Sequence, residues 1–219
     1  MEDLWELFEL GGAIMWPILA SSILALALFI ERLLSLRRRH LMTDALDRGL
    51  SAHLLAGDVR AAEALVRADP TPFGRVAAAA LKHRKQGRAA VKEAMTESGD
   101  LALARLERFL PTMATIAAIA PLLGLLGTIT GMIDVFGEVE RAKQADIGML
   151  AGGIWEALIT TGFGLIVAIP VLLAHHFLEL RVDRFALELE ERALVLIDEL
   201  LPMTDNDARP ASNANPTGA

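Results

Sequence analysis

One acidic side chain, Glu156, lies inside a long apolar stretch and is the residue best placed to do chemistry. It is the only formally charged residue in the run of 32 residues between Asp146 and Glu179. An ionised side chain near the middle of a membrane costs from about 3 to more than 10 kcal/mol, so such residues usually face a protein interior and mark a route for ions or protons. Glu156 is therefore the first candidate for a proton-carrying group.

Threonine hydroxyls accompany this carboxyl group. Thr160 lies one helical turn after Glu156 on nearly the same face, whereas Thr161 lies about 140° around the helix. Thr128 lies about as far before the centre of the intervening loop as Glu156 lies after it, so we expect both at a similar membrane depth. A carboxyl group near hydroxyls could hold a proton or a short water chain, although threonines in helices often bond their own backbone.

Three glycines interrupt the apolar stretch that carries Thr128. Gly127 and Gly131 form a small-xxx-small pair, a spacing that lets two membrane helices approach closely, and Gly124 precedes them. The three glycines predict a helix-packing surface. They do not indicate a nucleotide-binding loop, because no Lys-Ser or Lys-Thr pair follows.

The elements that would hold these residues are three membrane-spanning helices in an all-α chain. Hydrophobic residues make up 53% of the 219 residues, and the mean hydropathy is +0.42. Residues 10–30 and 109–133 carry no charge, and residues 147–178 carry only Glu156. Each block reaches the roughly 20 apolar residues that a spanning helix needs. The rest of the chain is too short to bury three such helices in a soluble core.

The distribution of basic residues predicts the orientation in the membrane. Of the 21 Lys and Arg residues, 15 fall between Glu31 and Leu110 and four follow the third block. The positive-inside rule then places the N-terminus outside and the C-terminus in the cytoplasm. The first block follows an acidic leader and ends at basic residues, so we interpret it as a retained anchor and not as a secretory signal.

Eight segments follow from these patterns, and the parts outside the membrane are predicted to be helical. After the third span, apolar residues at spacings of three and four predict a packed helix: Leu178, Val182, Phe185, Leu189, Ala193, Leu196 and Leu200. Asp58 is a candidate N-cap in the middle segment. The segments are a periplasmic N-terminal segment (1–10), transmembrane helix 1 (11–31), a cytoplasmic helical domain (32–110), transmembrane helix 2 (111–136), a periplasmic loop (137–147), transmembrane helix 3 (148–177), a cytoplasmic C-terminal helix (178–201) and a disordered tail (202–219).

Other chemistries find little support in the sequence. The chain has no cysteine, which excludes disulfides and thiolate metal sites. His175 and His176 diverge by about 100° on a helix, so we predict no metal site there. We expect the polar ends of their rings to lie at the inner membrane boundary, or alternatively to act as a proton-exit group. The spans carry no nucleophile or paired carboxylate, and no basic footprint indicates nucleic acid, so neither an enzyme nor a cofactor is expected.

Two linked motifs flank the short loop between the second and third spans. They are PLLGLLGTITGMI at residues 121–133 and GIWEALITTGFGLIVAIP at residues 153–170. Together they resemble the ExbB/TolQ/MotA proton-channel family. The short length and the three spans resemble the ExbB and TolQ branch, and not the larger four-span MotA stators. The resemblance implies a homopentamer in the bacterial inner membrane whose second and third spans line a pore occupied by a single-span, ExbD-like dimer. It also implies that proton flow transmits force to a TonB-like or TolA-like periplasmic protein.

The resemblance assigns roles to three residues of this chain. The family's first pore threonine falls on Thr128, its intramembrane glutamate on Glu156, and its second pore threonine on Thr161. Helical geometry alone would choose Thr160, so both threonines stay candidates. The expected function is an ExbB-like subunit that drives TonB-dependent outer-membrane transport; the alternatives are a TolQ-like subunit for envelope integrity and cell division, or a non-conducting membrane scaffold. Na⁺ stays open beside H⁺ as the coupling ion.

Overall fold

The computed structural model describes Trp5, Phe8 and residues 11–36, 41–142 and 147–201, and these ranges are helical throughout apart from short turns. The expectation of an all-α chain is confirmed for them. A 3-10 turn, Gly12–Ile14, leads into the first helix, and a second, Arg84–Gln86, follows the fourth. The helices are α1 (Met15–Ser35), α2 (Asp44–Leu55), α3 (Val59–Ala68), α4 (Pro72–His83), α5 (Arg88–Glu107), α6 (Leu110–Ala142) and α7 (Ile147–Leu200).

Three helical stretches are long and apolar enough to cross a membrane: Gly12–Ser35, Arg88–Arg141 and Leu150–Leu200. This confirms the predicted number of candidate spans. Large apolar side chains on them point away from the rest of the chain, among them Ile23, Leu122 and Ile166, which are 62%, 62% and 66% exposed. An apolar surface of this extent needs lipid or another chain to cover it. The chain is a membrane protein.

The chain divides into two compact units. The first comprises Met1–Ser35 and Glu107–Arg181, and the second comprises Leu36–Leu106 and Val182–Ala219. The first unit therefore holds α1, α6 and the first part of α7. Its buried residues include many small ones, such as Ala25, Ala120 and Ala157.

The second unit has a core of larger apolar side chains. Phe73, Val76 and Leu81 of α4 are at most 2% exposed. Five of the seven stripe residues are confirmed as buried. Val182, Phe185, Leu189 and Leu196 are at most 5% exposed, and Leu178, in the first unit, is fully buried. The other two, Ala193 and Leu200, are half-buried. The predicted N-cap is also confirmed, because the Ala61 amide donates a hydrogen bond to Asp58 Oδ1 at 3.0 Å.

The helix before the predicted outer loop runs further than the hydropathy suggests. Helix α6 continues to Ala142 through residues that we expect in the loop, whereas α7 continues from the third span to Leu200 without a break, as the apolar stripe predicts. Glu and Arg are good helix formers, so a change from apolar to charged residues marks the end of the lipid-facing part and not the end of the helix. The predicted tail (202–219), residues 143–146 and all of 1–10 except Trp5 and Phe8 lie outside the described residues.

Candidate functional site

Helices α6 and α7 meet along a seam of glycines. A Cβ atom on Gly124 would lie 2.9 Å from the backbone oxygen of Thr160, and one on Gly131 would lie 3.0 Å from Ala157 Cβ. Between them, Gly127 faces the side chain of Thr160 so closely that a Cβ atom would collide with it. All three glycines of the predicted packing surface therefore face α7. The absence of their side chains lets the two backbones approach.

A glycine on α7 completes the seam. A Cβ atom on Gly164 would lie 2.6 Å from the Ala120 carbonyl oxygen. The sequence-based interpretation named only the glycines of α6 as packing residues. Gly164 could have been found from its four-residue spacing from Thr160, which puts both residues on one face of α7.

Both threonines of α7 are bonded within this seam. The Thr160 hydroxyl is buried and donates to the Ala157 carbonyl oxygen at 2.7 Å, with the Gly124 carbonyl oxygen at 3.4 Å. The Thr161 hydroxyl donates to the same Gly124 oxygen at 3.0 Å. Buried hydroxyls in an apolar surrounding need such partners. The two threonines therefore link α7 to the backbone of α6 at one glycine.

The seam sets the register of the two helices. Gly131 lies opposite Ala157, and Gly127 lies opposite Thr160. Glu156 is thus level with the residues just after Gly131, and Thr128 is about one helical turn, or roughly 5 Å, from that level. The two residues thus lie at a similar depth only to within about one turn, because α6 extends to Ala142 and the connection is centred nearer to residue 144.

An acidic cavity of about 610 Å³ opens beside the seam. From α7 it is lined by Glu156 and Thr160, and from α6 by Thr130, Asp134 and Glu138. The segment from Gly11 to Ile14 also lines it. None of the described residues around the cavity is Lys, Arg or His, so the three carboxyl groups are not opposed by a basic side chain there. A cavity of one charge sign between apolar walls raises the local concentration of counter-ions, in this case cations including protons.

The structure separates the four residues that the sequence singled out for an ion route. Glu156 and Thr160 share the acidic cavity, and the Glu156 side chain is exposed at the surface of the single chain. Thr161 does not line the cavity. Thr128 does not line it either, and its hydroxyl donates to the Leu125 carbonyl oxygen of its own helix at 2.7 Å.

Comparison with known proteins connects this geometry to a family. The model of the MotA/TolQ/ExbB proton channel family matches residues 68–191. That range includes the seam and the acidic residues of the cavity. The chain belongs to this family.

Individual relatives agree with the family assignment. The "Putative biopolymer transport protein ExbB-like 1" of Synechocystis sp. is 36% identical over 174 residues, which are 78% of this chain and 68% of that protein. The "ExbB-like 3" protein of the same organism is 34% identical over 190 residues, 83% of this chain and 88% of that protein. The "Tol-Pal system protein TolQ" of Haemophilus influenzae is 45% identical over 78 residues, 36% of this chain and 34% of that protein.

Two acidic residues of the cavity were missed by the sequence-based interpretation of this family member. Asp134 directly follows the uncharged block 109–133, and Glu138 was assigned to the loop. Once α6 is known to extend to Ala142, Thr130, Asp134 and Glu138 recur at four-residue intervals and therefore share one helix face. This spacing is the signal that the sequence offers for the two acidic residues. It was not recognised because transmembrane helix 2 was predicted to end at residue 136, before Glu138.

Proposed function

We propose that this chain is an ExbB-like subunit of an inner-membrane complex that uses the proton motive force to drive TonB-dependent outer-membrane transport. The observation that carries the proposal is the acidic cavity in which Glu156 meets Asp134 and Glu138. Each elementary charge that crosses the membrane releases about 2.3 kcal/mol per 100 mV. Several protons per cycle suffice to drive a large conformational change.

In the proposed route, protons enter from the periplasmic side. Asp134 and Glu138 lie nearer than Glu156 to the connection between α6 and α7, which the positive-inside rule places outside. Their carboxyl groups raise the proton concentration next to Glu156. Glu156 then takes the proton and releases it toward the cytoplasm. Thr160, one helical turn further along α7, forms part of the cavity wall.

The proposed assembly is a homopentamer in the bacterial inner membrane with a periplasmic N-terminus and a cytoplasmic C-terminus. Helices α6 and α7 line its pore, which holds the single-span helices of an ExbD-like dimer, and a TonB-like protein receives the force. Exposure of Glu156 in the single chain supports this arrangement, because an exposed carboxyl group is within reach of a partner helix. Thr128 is the proposed α6 contribution to the pore, on the family resemblance, as Thr161 is that of α7.

A TolQ-like role in envelope integrity and cell division is the second candidate. The observation that favours it is the 45% identity to the Haemophilus influenzae TolQ protein, although this covers only 36% of the chain. Affinity purification of the complex from the native membrane discriminates the two roles. An ExbB-like subunit co-purifies with a TonB-like protein, and a TolQ-like subunit with a TolA-like protein.

Proton flux tests the proposal. The chain and its ExbD-like partner are reconstituted in liposomes with an internal pH indicator, and a membrane potential is applied. We expect Glu156→Gln to lower the proton flux at least tenfold, because glutamine keeps the size of the side chain but cannot carry a proton, while the purified complex keeps its stoichiometry. Glu191→Gln, an exposed change further along α7, is the matched control and should conduct as the unmodified chain does.

Two outcomes would contradict this role. If Glu156→Gln conducts like the unmodified complex, Glu156 is not the proton carrier. If the unmodified complex assembles but conducts neither H⁺ nor Na⁺, the non-conducting scaffold is the better description. A flux that follows a Na⁺ gradient and not a pH gradient would keep the channel and change its ion.

A further inference from the structure

A cluster of metal-ligating side chains lies on α7, well away from the acidic cavity. His176 Nδ1 is 3.1 Å from Glu179 Oε2, and His175 Nδ1 is 3.9 Å from the same oxygen. The two imidazole centroids are 5.4 Å apart, and the ligand atoms of all three residues lie within 4.8 Å of one another. One helical turn thus gathers two imidazole groups and one carboxylate.

This convergence differs from the expectation that His175 and His176 diverge and form no ligand set. The angle of about 100° between neighbouring residues holds at the Cα atoms. The side chains then turn toward Glu179, which lies at i+4 from His175 and at i+3 from His176, positions that neighbour each other on a helix surface. The two rings pack edge to face at an interplanar angle of 68°, and both Nδ1 atoms lie within 4 Å of Glu179 Oε2.

His175 provides an independent reason to look for a ligand. Its Nδ1 atom is buried, and among the described residues it has no hydrogen-bond partner. A buried polar atom left without a partner destabilises the folded state. A metal ion bound to this nitrogen would remove that destabilisation, and neutral imidazole is the commonest metal ligand in proteins.

We propose that His175, His176 and Glu179 form a binding site for a divalent transition-metal ion of the Zn²⁺ type. Zn²⁺ binds imidazole nitrogen and carboxylate oxygen at about 2.0–2.2 Å, so tetrahedral ligand atoms lie about 3.3 Å apart. The pair His176–Glu179 already has about this spacing. His175 has to move closer, because its Nδ1 atom is 3.9 Å from Glu179 Oε2 and the three ligand atoms lie only within 4.8 Å of one another. Three protein ligands leave one position for water or another small ligand.

The ligand set and its exposure define which ions can enter. The side chains of His176 and Glu179 are 62% and 49% exposed, so an ion reaches them from outside the protein. Two nitrogen ligands favour Zn²⁺, Ni²⁺ or Cu²⁺, whereas Mg²⁺ and Ca²⁺ prefer an all-oxygen shell. The guanidinium of Arg181, close in sequence, lies 4.8 Å from the ring centroid of Phe177, a cation–π contact.

The site is independent of the proposed proton route. His175 lies 19 residues after Glu156, about 28 Å along an α-helix, so an ion bound there does not contact the carboxyl groups of the cavity. The proposal therefore concerns a binding property of α7, whatever the chain conducts.

Metal titration of the purified full-length chain tests the site. The chain is prepared in detergent without a polyhistidine tag, and Zn²⁺ is titrated in competition with a chromophoric zinc chelator in the presence of excess Mg²⁺. We expect one Zn²⁺ per chain. His176→Asn and Glu179→Gln should each weaken binding at least tenfold, and both positions are exposed enough for the helix to accept these changes.

His53→Asn is the matched control, because His53 lies on α2 outside the cluster and should leave Zn²⁺ binding unchanged. Co²⁺ in place of Zn²⁺ gives a second measurement, since its visible absorption bands report a mixed nitrogen and oxygen shell and should be lost in His176→Asn. The proposal is overturned if the unmodified chain binds no Zn²⁺ under these conditions. It is also overturned if His176→Asn and Glu179→Gln bind as tightly as His53→Asn.

Discussion

The seam between α6 and α7 and the core of the second unit achieve close packing by opposite means. In the seam, Gly124 and Gly131 remove side chains so that backbone meets backbone, and Thr161 donates directly to a carbonyl oxygen of the other helix. In the second unit, Phe73 and Leu81 bury large apolar side chains. Salt bridges such as Arg84–Glu63 at 2.8 Å add contacts at its surface.

The proposed topology accounts for the difference, because it places the seam in lipid and the second unit in water. In water, burying apolar area is the main driving force. Between helices in lipid that force is absent, and association depends on van der Waals packing and hydrogen bonds, which favour small residues. Small residues also leave open volume beside the seam, and Glu156 occupies the margin of that volume. A seam of leucines would fill the cavity that the proposed route requires.

The largest expected effect belongs to the second unit. Leu81→Ala removes a side chain that is 2% exposed, so it should lower the free energy of unfolding of this unit by about 2–5 kcal/mol. Leu55→Ala is the matched control, because Leu55 is 78% exposed, and the same substitution there should change stability by less than about 0.5 kcal/mol. Amide hydrogen exchange of α4 measures both variants. Equal exchange in the two would contradict a core of large buried side chains.

The sequence predicted this second region well and the seam only in part. Helical periodicity and capping are local properties, so the face carrying Val182 and Phe185 and the cap at Asp58 could both be found from spacing alone. The register of two helices across a loop is not local. The register depends on where α6 ends. Charged residues with a high helix propensity extend α6 past Glu138.

The choice between Thr160 and Thr161 shows the same limit. Spacing gives the angle of each side chain relative to Glu156, but it does not tell which direction faces the neighbouring helix. The structure shows both hydroxyls engaged with α6, and only Thr160 lines the cavity. Asp134 was missed because it stands at the edge of an apolar block, where a charge is expected to mark the membrane boundary.

A smaller effect is expected in the seam. A methyl group at Gly124 would press on the α7 backbone, which cannot turn away as a side chain can, so Gly124→Ala should destabilise the α6–α7 pair by about 1–3 kcal/mol. Gly137→Ala on the same helix has open space around its Cβ position and should be neutral or stabilising by up to about 1 kcal/mol. Hydrogen exchange of α6 and α7 gives both values. If Gly124→Ala and Gly137→Ala change the stability of the helix pair in the same direction, the seam is not close-packed.

The central claim is that an acidic cavity open to the outer side leads to Glu156, and thiol labelling tests it most directly. The chain has no cysteine, so Glu156→Cys creates a single reactive site without background. Leu158→Cys on the same helix is the control, because Leu158 is 57% exposed but does not line the cavity. Membrane-impermeant reagents of equal size and opposite charge are added from the outer side to the assembled complex.

We predict that Glu156→Cys is modified from the outer side, and faster by the cationic than by the anionic reagent, because Asp134 and Glu138 still line the cavity. Leu158→Cys should react slowly with both, since position 158 lies in an apolar stretch outside the cavity, where a thiol is less readily ionised. The account is contradicted if Glu156→Cys is not modified from the outer side, or if it reacts no faster than Leu158→Cys.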